Sequence, residues 1–343
     1  MAPSAGFFET AFRALRGGFY MPGFKSHYLF GRETLANFAP NQYEQYLIKY
    51  PQSFHMGLQG PDVFFYYVPA WVMYDKNIGN VIHESKTNEF FDALIKSRNN
   101  LIKKEHRLIA DAYIAGFIGH YTLDSTVHPY IYYRTKNQEH EDKKLYDFGI
   151  HVFLETDIDN ALLRHYLHMK PSEFKMGDTI KMTVKEHSII SLLLYRAIKQ
   201  VFPESKTLLF IIRHAIASMT LEANLMKDKT GRKKVFLRFI ERAIMGHAVI
   251  SPMVPNDNFL KYKDPCNLRH KKWANPWDRR RKSSDSVYDL IDKASKTFEE
   301  RIHYYSNSQT ISRELSKEEK EENLDKLFES LGDLSYYSGL PNN

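Results

Sequence analysis

The sequence predicts an all-α protein on three observations. Apolar residues recur at helical spacing over long windows, prolines and glycines punctuate those windows, and no stretch of useful length alternates apolar and polar residues as a half-buried strand does. His27–Phe38 and Asn41–Tyr50 read as short helices broken by Pro40 and Pro51. Phe54–Pro69, aromatic and punctuated by glycine and proline, reads as an ordered loop leading into a turn or short helix. Thr87–Lys96 is an amphipathic helix. Glu105–Val127 is a longer one, with Ile109, Ala112, Gly116, His120 and Asp124 on one stripe. Pro129 is expected to end it, because the ring removes a donor and clashes with the preceding turn. After the charged loop Asn137–Lys144 come Tyr146–His168, Lys185–Val201, Ser205–Met226 and Lys233–Ile250, the last three apolar enough to wrap a core.

Beyond Ile250 the texture changes. Four prolines (252, 255, 265 and 276), Trp273, Trp277 and the basic run Arg279–Lys282 make an irregular stretch. Helices resume at Ser284–Tyr305 and Ser316–Leu331, the latter with Ser316 as N-cap and Glu319 at the capping-box position. The expected organisation is an N-terminal extension over 1–21, a helical domain over 22–250, and a C-terminal helical extension over 251–343 packed on that domain, with the two tryptophans as anchors. The last segment has too few aliphatic positions for a strong core of its own.

Composition bounds the function. The chain has 343 residues, 43% hydrophobic and 26% charged, values of an ordinary globular protein able to bury a large core. The single cysteine, Cys266, excludes an intrachain disulfide and a thiolate metal cluster. No run approaches the ~18 apolar residues of a spanning helix, and Arg13 and Arg16 interrupt the apolar part of the first 20 residues, the wrong order for a secretory signal. A cytoplasmic location is the resulting expectation. The formal charge of +7 attracts anions: phospholipid headgroups, nucleic acids and acidic metabolites. Peripheral contact with an anionic membrane is one expectation. Nucleic acid is the lesser one, since no interleaved aromatics accompany Arg279–Arg281.

The residues that carry chemistry begin with His120, Asp124 and His128, each four apart and so on one helical face. His151 and Glu155 repeat the spacing. Imidazole and carboxylate on one face suit a divalent ion such as zinc. A carboxylate on the apolar stripe must be compensated, and a dication does so directly; a helix-end network to tyrosine or backbone groups is the competing reading for the first pair alone. Asp159 continues the second face, either orienting a ligand or solvated. Asp62 stands in a Gly-Pro turn that the aromatic run after it would draw inward. His27, His83 and His55 are lone histidines, which are more often structural. His214 and His247 are expected to be packing residues on core helices, and His140, His165, His168, His187 and His303 to face solvent.

In this order the residues resemble the zinc-dependent phospholipase C family, which also includes the N-terminal domain of GPI-specific phospholipase D and is distantly related to S1/P1-type nucleases. The resemblance spans about 22–250. It is carried by Ser26-His27-Tyr28-Leu29-Phe30-Gly31, Gly57-Leu58-Gln59-Gly60-Pro61-Asp62, the run from Gly119 to Tyr130, and Leu154-Glu155-Thr156-Asp157-Ile158-Asp159. It implies a phospholipase C/P1 nuclease-like helical bundle, with the C-terminal helical extension added, and two or three Zn2+ ions per chain. One zinc would take Asp62, His83, His120 and Asp124; another His128, His151 and Glu155; a third His27, sharing Asp124. In secreted members the amino group of the processed N-terminus completes the third site. Here His27 lies well inside the sequence, which leaves that position weak, or to water, His55 or cleavage before Met21. Asp62 resembles the family's proposed general base. The function implied is metal-dependent hydrolysis of a phospholipid or other phosphodiester. The alternatives are a nuclease or soluble phosphodiesterase of the same fold, and a non-catalytic protein that binds metal or phosphate.

Overall fold

The computed structural model describes residues 23–37, 48–67, 77–136, 147–225, 228–244, 246, 248, 251–257, 261–309 and 315–342. Its elements in chain order are α1 (Phe24–Asn37), α2 (Pro51–Gly57), a 3-10 helix (Gly60–Tyr66), α3 (Ile78–Glu84), α4 (Thr87–Asn99), α5 (Lys104–Lys136), α6 (Asp147–Leu167), α7 (Met176–Thr179), α8 (Val184–Val201), α9 (Leu209–Leu225), α10 (Arg232–Ile244), a second 3-10 turn (Ser251–Met253), α11 (Val287–Ser308) and α12 (Lys317–Leu331). The one sheet among the described residues is a two-residue antiparallel pair, β1 (Trp273–Ala274) with β2 (Lys282–Ser283). The fold is all-α.

The 33-residue α5 is the axis of the molecule. Ile109, Ala112, Tyr113, Phe117 and Tyr121 on it are buried, and α2, α6, α8 and α11 pack around it. The crossing of α2 over α5 is set by Gly57 and Gly116: a β-carbon on the first would strike the Tyr113 carbonyl, and one on the second the Phe54 carbonyl. This close approach lays the Leu58 backbone against His120. On the far side, Arg98 of α4 donates from Nε and Nη2 to the two carboxylate oxygens of Asp111 (2.7 and 2.8 Å), and the Tyr305 hydroxyl of α11 donates to Oδ1 (2.9 Å). All three side chains are buried. This bidentate pair ties α4, α5 and α11 together.

Helix ends follow their chemistry. Thr183, Ser286 and Ser316 each close a capping box, with Glu186, Asp289 and Glu319 respectively.

Several expectations need correction. Pro129 does not end α5, which runs on to Lys136. The ring costs one hydrogen bond and a clash of about 3 kcal/mol, and burial of Tyr130, Ile131 and Tyr132 just beyond it outweighs that. The Tyr130 hydroxyl is also fixed to the Pro265 carbonyl at 2.7 Å. The helix expected over 233–250 does not wrap the core with its apolar stripe: in α10, Val235, Phe236 and Phe239 face outward while Lys234 and Glu241 are buried. His214 is exposed rather than packed, donating from Nδ1 to the Phe210 carbonyl. His187 is half-buried against the Arg213 carbonyl, and His165, His168 and His303 are exposed. Trp273 is an anchor, buried with its Nε1 on the Asp285 carbonyl; Trp277 is exposed, edge-on to Tyr132. The expected helix Asn41–Tyr50 and loop Asn137–Lys144 fall almost wholly outside the described residues, as do His140 and His247.

Candidate metal centre

Five elements deliver eight ionisable side chains to one buried volume. His27 comes from α1, Asp62 from the 3-10 helix Gly60–Tyr66, His83 from α3, His120, Asp124 and His128 from α5, and His151 and Glu155 from α6. All eight are buried. They form three groups, the first two sharing His120, and within each group the ligand atoms lie within 4.8 Å of one another: His27, His120 and Asp124; Asp62, His83 and His120; His128, His151 and Glu155.

Asp124 is the hub. Its Oδ1 lies 3.2 Å from His27 Nε2 and 3.8 Å from His128 Nε2, and its Oδ2 3.0 Å from His120 Nε2 and 3.5 Å from His83 Nε2. Asp62 Oδ1 is 3.3 Å from His83 Nε2. Glu155 Oε1 is 2.9 Å from His151 Nε2 and 3.5 Å from His128 Nε2, which joins the α6 pair to the rest.

The backbone fixes how these rings point. His83 Nδ1 donates to the Gly79 carbonyl (2.7 Å), His120 Nδ1 to the Leu58 carbonyl (3.1 Å) and His128 Nδ1 to the Tyr336 carbonyl (3.0 Å). A carbonyl only accepts, so each Nδ1 carries the proton, and in the neutral ring Nε2 presents a lone pair to the cluster. This is how metal-binding histidines are usually oriented. Gly60 (φ +50°) belongs to the same arrangement: its backbone passes so close to His120 that a β-carbon would strike the ring. Asp159 does not touch a ligand ring. Its two oxygens accept from the backbone N–H groups of Lys25 (3.0 Å) and Ser26 (2.8 Å), and Oδ1 also from the Ser26 hydroxyl (2.6 Å). It thereby pins the first turn of α1, and His27 with it, to α6. His55 lies away from the cluster, its Nδ1 on the Thr179 carbonyl at 3.0 Å.

The electrostatics are those of a site built for positive charge. Burial opposes ionisation of Asp124, yet His120, His128 and His27 hold its carboxyl well below the usual carboxylate range. Burial pushes Glu155 up to about 8 against the pull of His128. His83 is raised to about 9, the contacts with Asp124 and Asp62 outweighing burial. Several buried atoms have no hydrogen-bond partner: His83 Nε2, His120 Nε2, Asp62 Oδ1, Asp124 Oδ2 and both oxygens of Glu155. Buried polar atoms left this way cost free energy, and a shared cation is what relieves imidazole lone pairs and carboxylates together. The donor set of nitrogen and oxygen fits zinc.

The chain matches the family model described as zinc dependent phospholipase C over residues 26–204. It belongs to the zinc-dependent phospholipase C family. No curated protein and no solved structure matches it. The matched segment of this phospholipase C-family chain holds all eight clustered residues. Parts of their surroundings lie outside it.

Those parts are what sequence reasoning missed. The tail after α12 runs straight into the centre: Tyr336 N–H donates to the His83 carbonyl (3.3 Å) while its own carbonyl takes the His128 proton. The Tyr337 ring stacks on His83 with 3° between planes. Val287 and Ile291 of α11 join His27, Asp124, His128 and Glu155 around a small cavity of about 30 Å³. A second, slightly more open pocket of about 40 Å³ also borders Glu155, between Lys25, Tyr66, Met176, Met253 and Pro255. Burial and the neighbouring acids Asp62, Glu222, Asp159 and Glu155 drive the Tyr66 phenol far up, so it keeps its proton and can donate.

Proposed function

We propose that this chain hydrolyses phosphodiesters, with a lipid phosphodiester as the substrate class, at the cluster of His27, Asp62, His83, His120, Asp124, His128, His151 and Glu155. Asp62, His83, His120 and Asp124 would hold one zinc, His128, His151 and Glu155 another, and His27 with Asp124 a third. The observation that carries this reading is the set of three Nδ1–carbonyl hydrogen bonds, which aim three imidazole lone pairs at shared carboxylates. Bound zinc would lower the pKa of water towards neutrality and offset the charge of a phosphodiester.

The chain's own residues supply the rest. Asp62 is held rigidly in the 3-10 helix Gly60–Tyr66, near His83 and facing the cluster, where its carboxylate can take the proton of an attacking water. The Tyr66 hydroxyl in the adjoining open pocket can donate to a non-bridging phosphate oxygen. The apolar shell from Leu123, Val127 and Ile158 excludes bulk water and strengthens each of these interactions.

The test is elemental analysis of protein purified without chelator, with hydrolysis assays on short-chain phosphatidylcholine, bis-nitrophenyl phosphate and single-stranded DNA. Zinc should copurify, and the lipid ester should be the best substrate. Asp124→Asn should lose zinc and activity by more than about a hundredfold, since even partners of ligands are worth 10- to 100-fold. Bound zinc without turnover of any ester would favour a binding protein, and preference for DNA would favour a nuclease.

A further inference from the structure

The helix α10 is built inside out. Its sequence, RKKVFLRFIERAI, places five basic residues and one acid among apolar positions. The stripe at i, i+3, i+4 and i+7 that would normally face a core instead faces solvent: Val235 is 70% exposed, Phe236 62% and Phe239 71%. On the adjoining end of α9, Leu221 (62%) and Leu225 (58%) are exposed as well. What turns inward is polar. Lys234 Nζ donates to the Val254 carbonyl at 3.0 Å, and the Ser251 N–H donates to Glu241 Oε1 at 3.0 Å. These buried polar contacts fix the rotation of the helix, so the outward aromatic face is part of how it is seated.

Within 221–242 the exposed charge among the described residues has one sign. Lys229, Arg232, Lys233 and Arg242 are exposed, whereas the acids of the segment are turned away: Asp228 and Glu241 are buried and Glu222 is half-buried. Exposed aromatic and aliphatic side chains within a basic rim are the composition of a helix lying in a membrane interface. No described helix is long and apolar enough to cross a membrane.

The inward side of α10 abuts the segment that lines the pocket next to Glu155. Val254, which receives Lys234, lies between Met253 and Pro255, two residues lining the open pocket next to Glu155. On the α9 side, Glu222 is close enough to raise the phenol of Tyr66, which lines the same pocket.

We infer that the exposed face of α10, with the C-terminal end of α9, is a docking surface for an anionic lipid bilayer, on which Val235, Phe236 and Phe239 insert while the surrounding lysines and arginines meet the headgroups. The use of this surface, to bring the open pocket to its substrate, rests on the hydrolase reading above; the docking itself does not.

The experiment is cosedimentation of the full chain with vesicles of phosphatidylcholine alone and of equimolar phosphatidylcholine and phosphatidylglycerol, at low and high salt, beside turnover of bis-nitrophenyl phosphate. The expected result is binding to the anionic vesicles that weakens with salt, since exposed charges are screened. Phe236→Ser/Phe239→Ser should bind at least about tenfold more weakly, because two buried phenyl groups are lost, with soluble-ester turnover unchanged. Asp124→Asn should sediment with vesicles like the parent, so loss of turnover and loss of docking are read separately. Equal binding of the double variant, or indifference to phosphatidylglycerol, overturns the proposal. A chain that ignores vesicles but is a dimer in solution, and becomes monomeric in the double variant, assigns the face to a second copy and overturns it as well.

Discussion

At the scale of single residues, several of the charges buried in this protein are answered by specific partners. Asp111 meets Arg98 and Tyr305, and Asp159 meets a helix start. Glu222 is the contrast: half-buried beside Tyr66, it is raised to about 7 by burial alone. The consequence for stability has a definite sign. A carboxyl whose folded value lies above its unfolded value of 4.5 binds its proton more tightly in the native state. Below the unfolded value both states are protonated and no penalty exists. As pH rises from there to about 7, the unfolded chain ionises while the folded state keeps its proton, and stability is lost; above about 7 the loss is complete. Glu222→Gln removes the titration. Thermal melts should therefore show the variant and parent alike near pH 4 and the variant higher at pH 8. A variant that gains as much at pH 4 as at pH 8 would show that ionisation is not the cause.

At the scale of elements, the tail 332–342 reaches the candidate metal centre through its backbone. Tyr121 of α5 anchors it twice, its hydroxyl donating to the Leu331 carbonyl (2.6 Å) and accepting from the Leu334 N–H (2.9 Å). Thr87 of α4 holds the Leu334 carbonyl at 3.1 Å. Tyr336 is then delivered to His83 and His128. Removing the residues after Leu331 should lower zinc affinity at the His128 group by about 10- to 100-fold, the usual effect of losing a ligand's orienting partner. Circular dichroism should keep its helical signal, and the cobalt-substituted protein should show an altered visible spectrum. Tyr336→Phe, which keeps the carbonyl, should retain the parental spectrum. Undiminished zinc binding in the truncated chain would refute the role.

The same tail marks the limit of what the residues disclose in advance. Spacing of four put His120, Asp124 and His128 on one face, and likewise His151 and Glu155, because helical geometry is local. His27 and His83 carried no such signal by themselves and entered the set only through resemblance to a family. Tyr336 was illegible for a different reason: it works through a carbonyl, and every residue type has one. In α10 the pattern disclosed an apolar stripe but not its direction, which is decided by the partners of Lys234 and Glu241. Pro129 was read by its local cost, and tertiary burial overrode it.

At the scale of the whole molecule, the metal centre and the fold are one problem. Five imidazoles and three carboxylates, drawn from α1, a 3-10 helix, α3, α5 and α6, share one buried volume. Without a cation these groups balance one another imperfectly, as the atoms lacking hydrogen bonds show. With cations the native state would gain binding energy that the unfolded chain, whose candidate ligands are dispersed along more than a hundred residues, would not. The gain follows mass action: free zinc at a thousandfold its dissociation constant stabilises by about 4 kcal/mol per site. A chelator should therefore lower the melting temperature by several degrees or more, and added zinc should restore it. Replacing the hub makes the test specific. Asp124→Asn should respond less to chelator than the parent, because the residue shared by the His27, His83 and His120 contacts can no longer bridge them, while the His128, His151 and Glu155 group keeps its own donors. A parent chain whose melting is indifferent to chelator, with no zinc retained after treatment, would mean that the eight side chains are held together by hydrogen bonding and ion pairing alone.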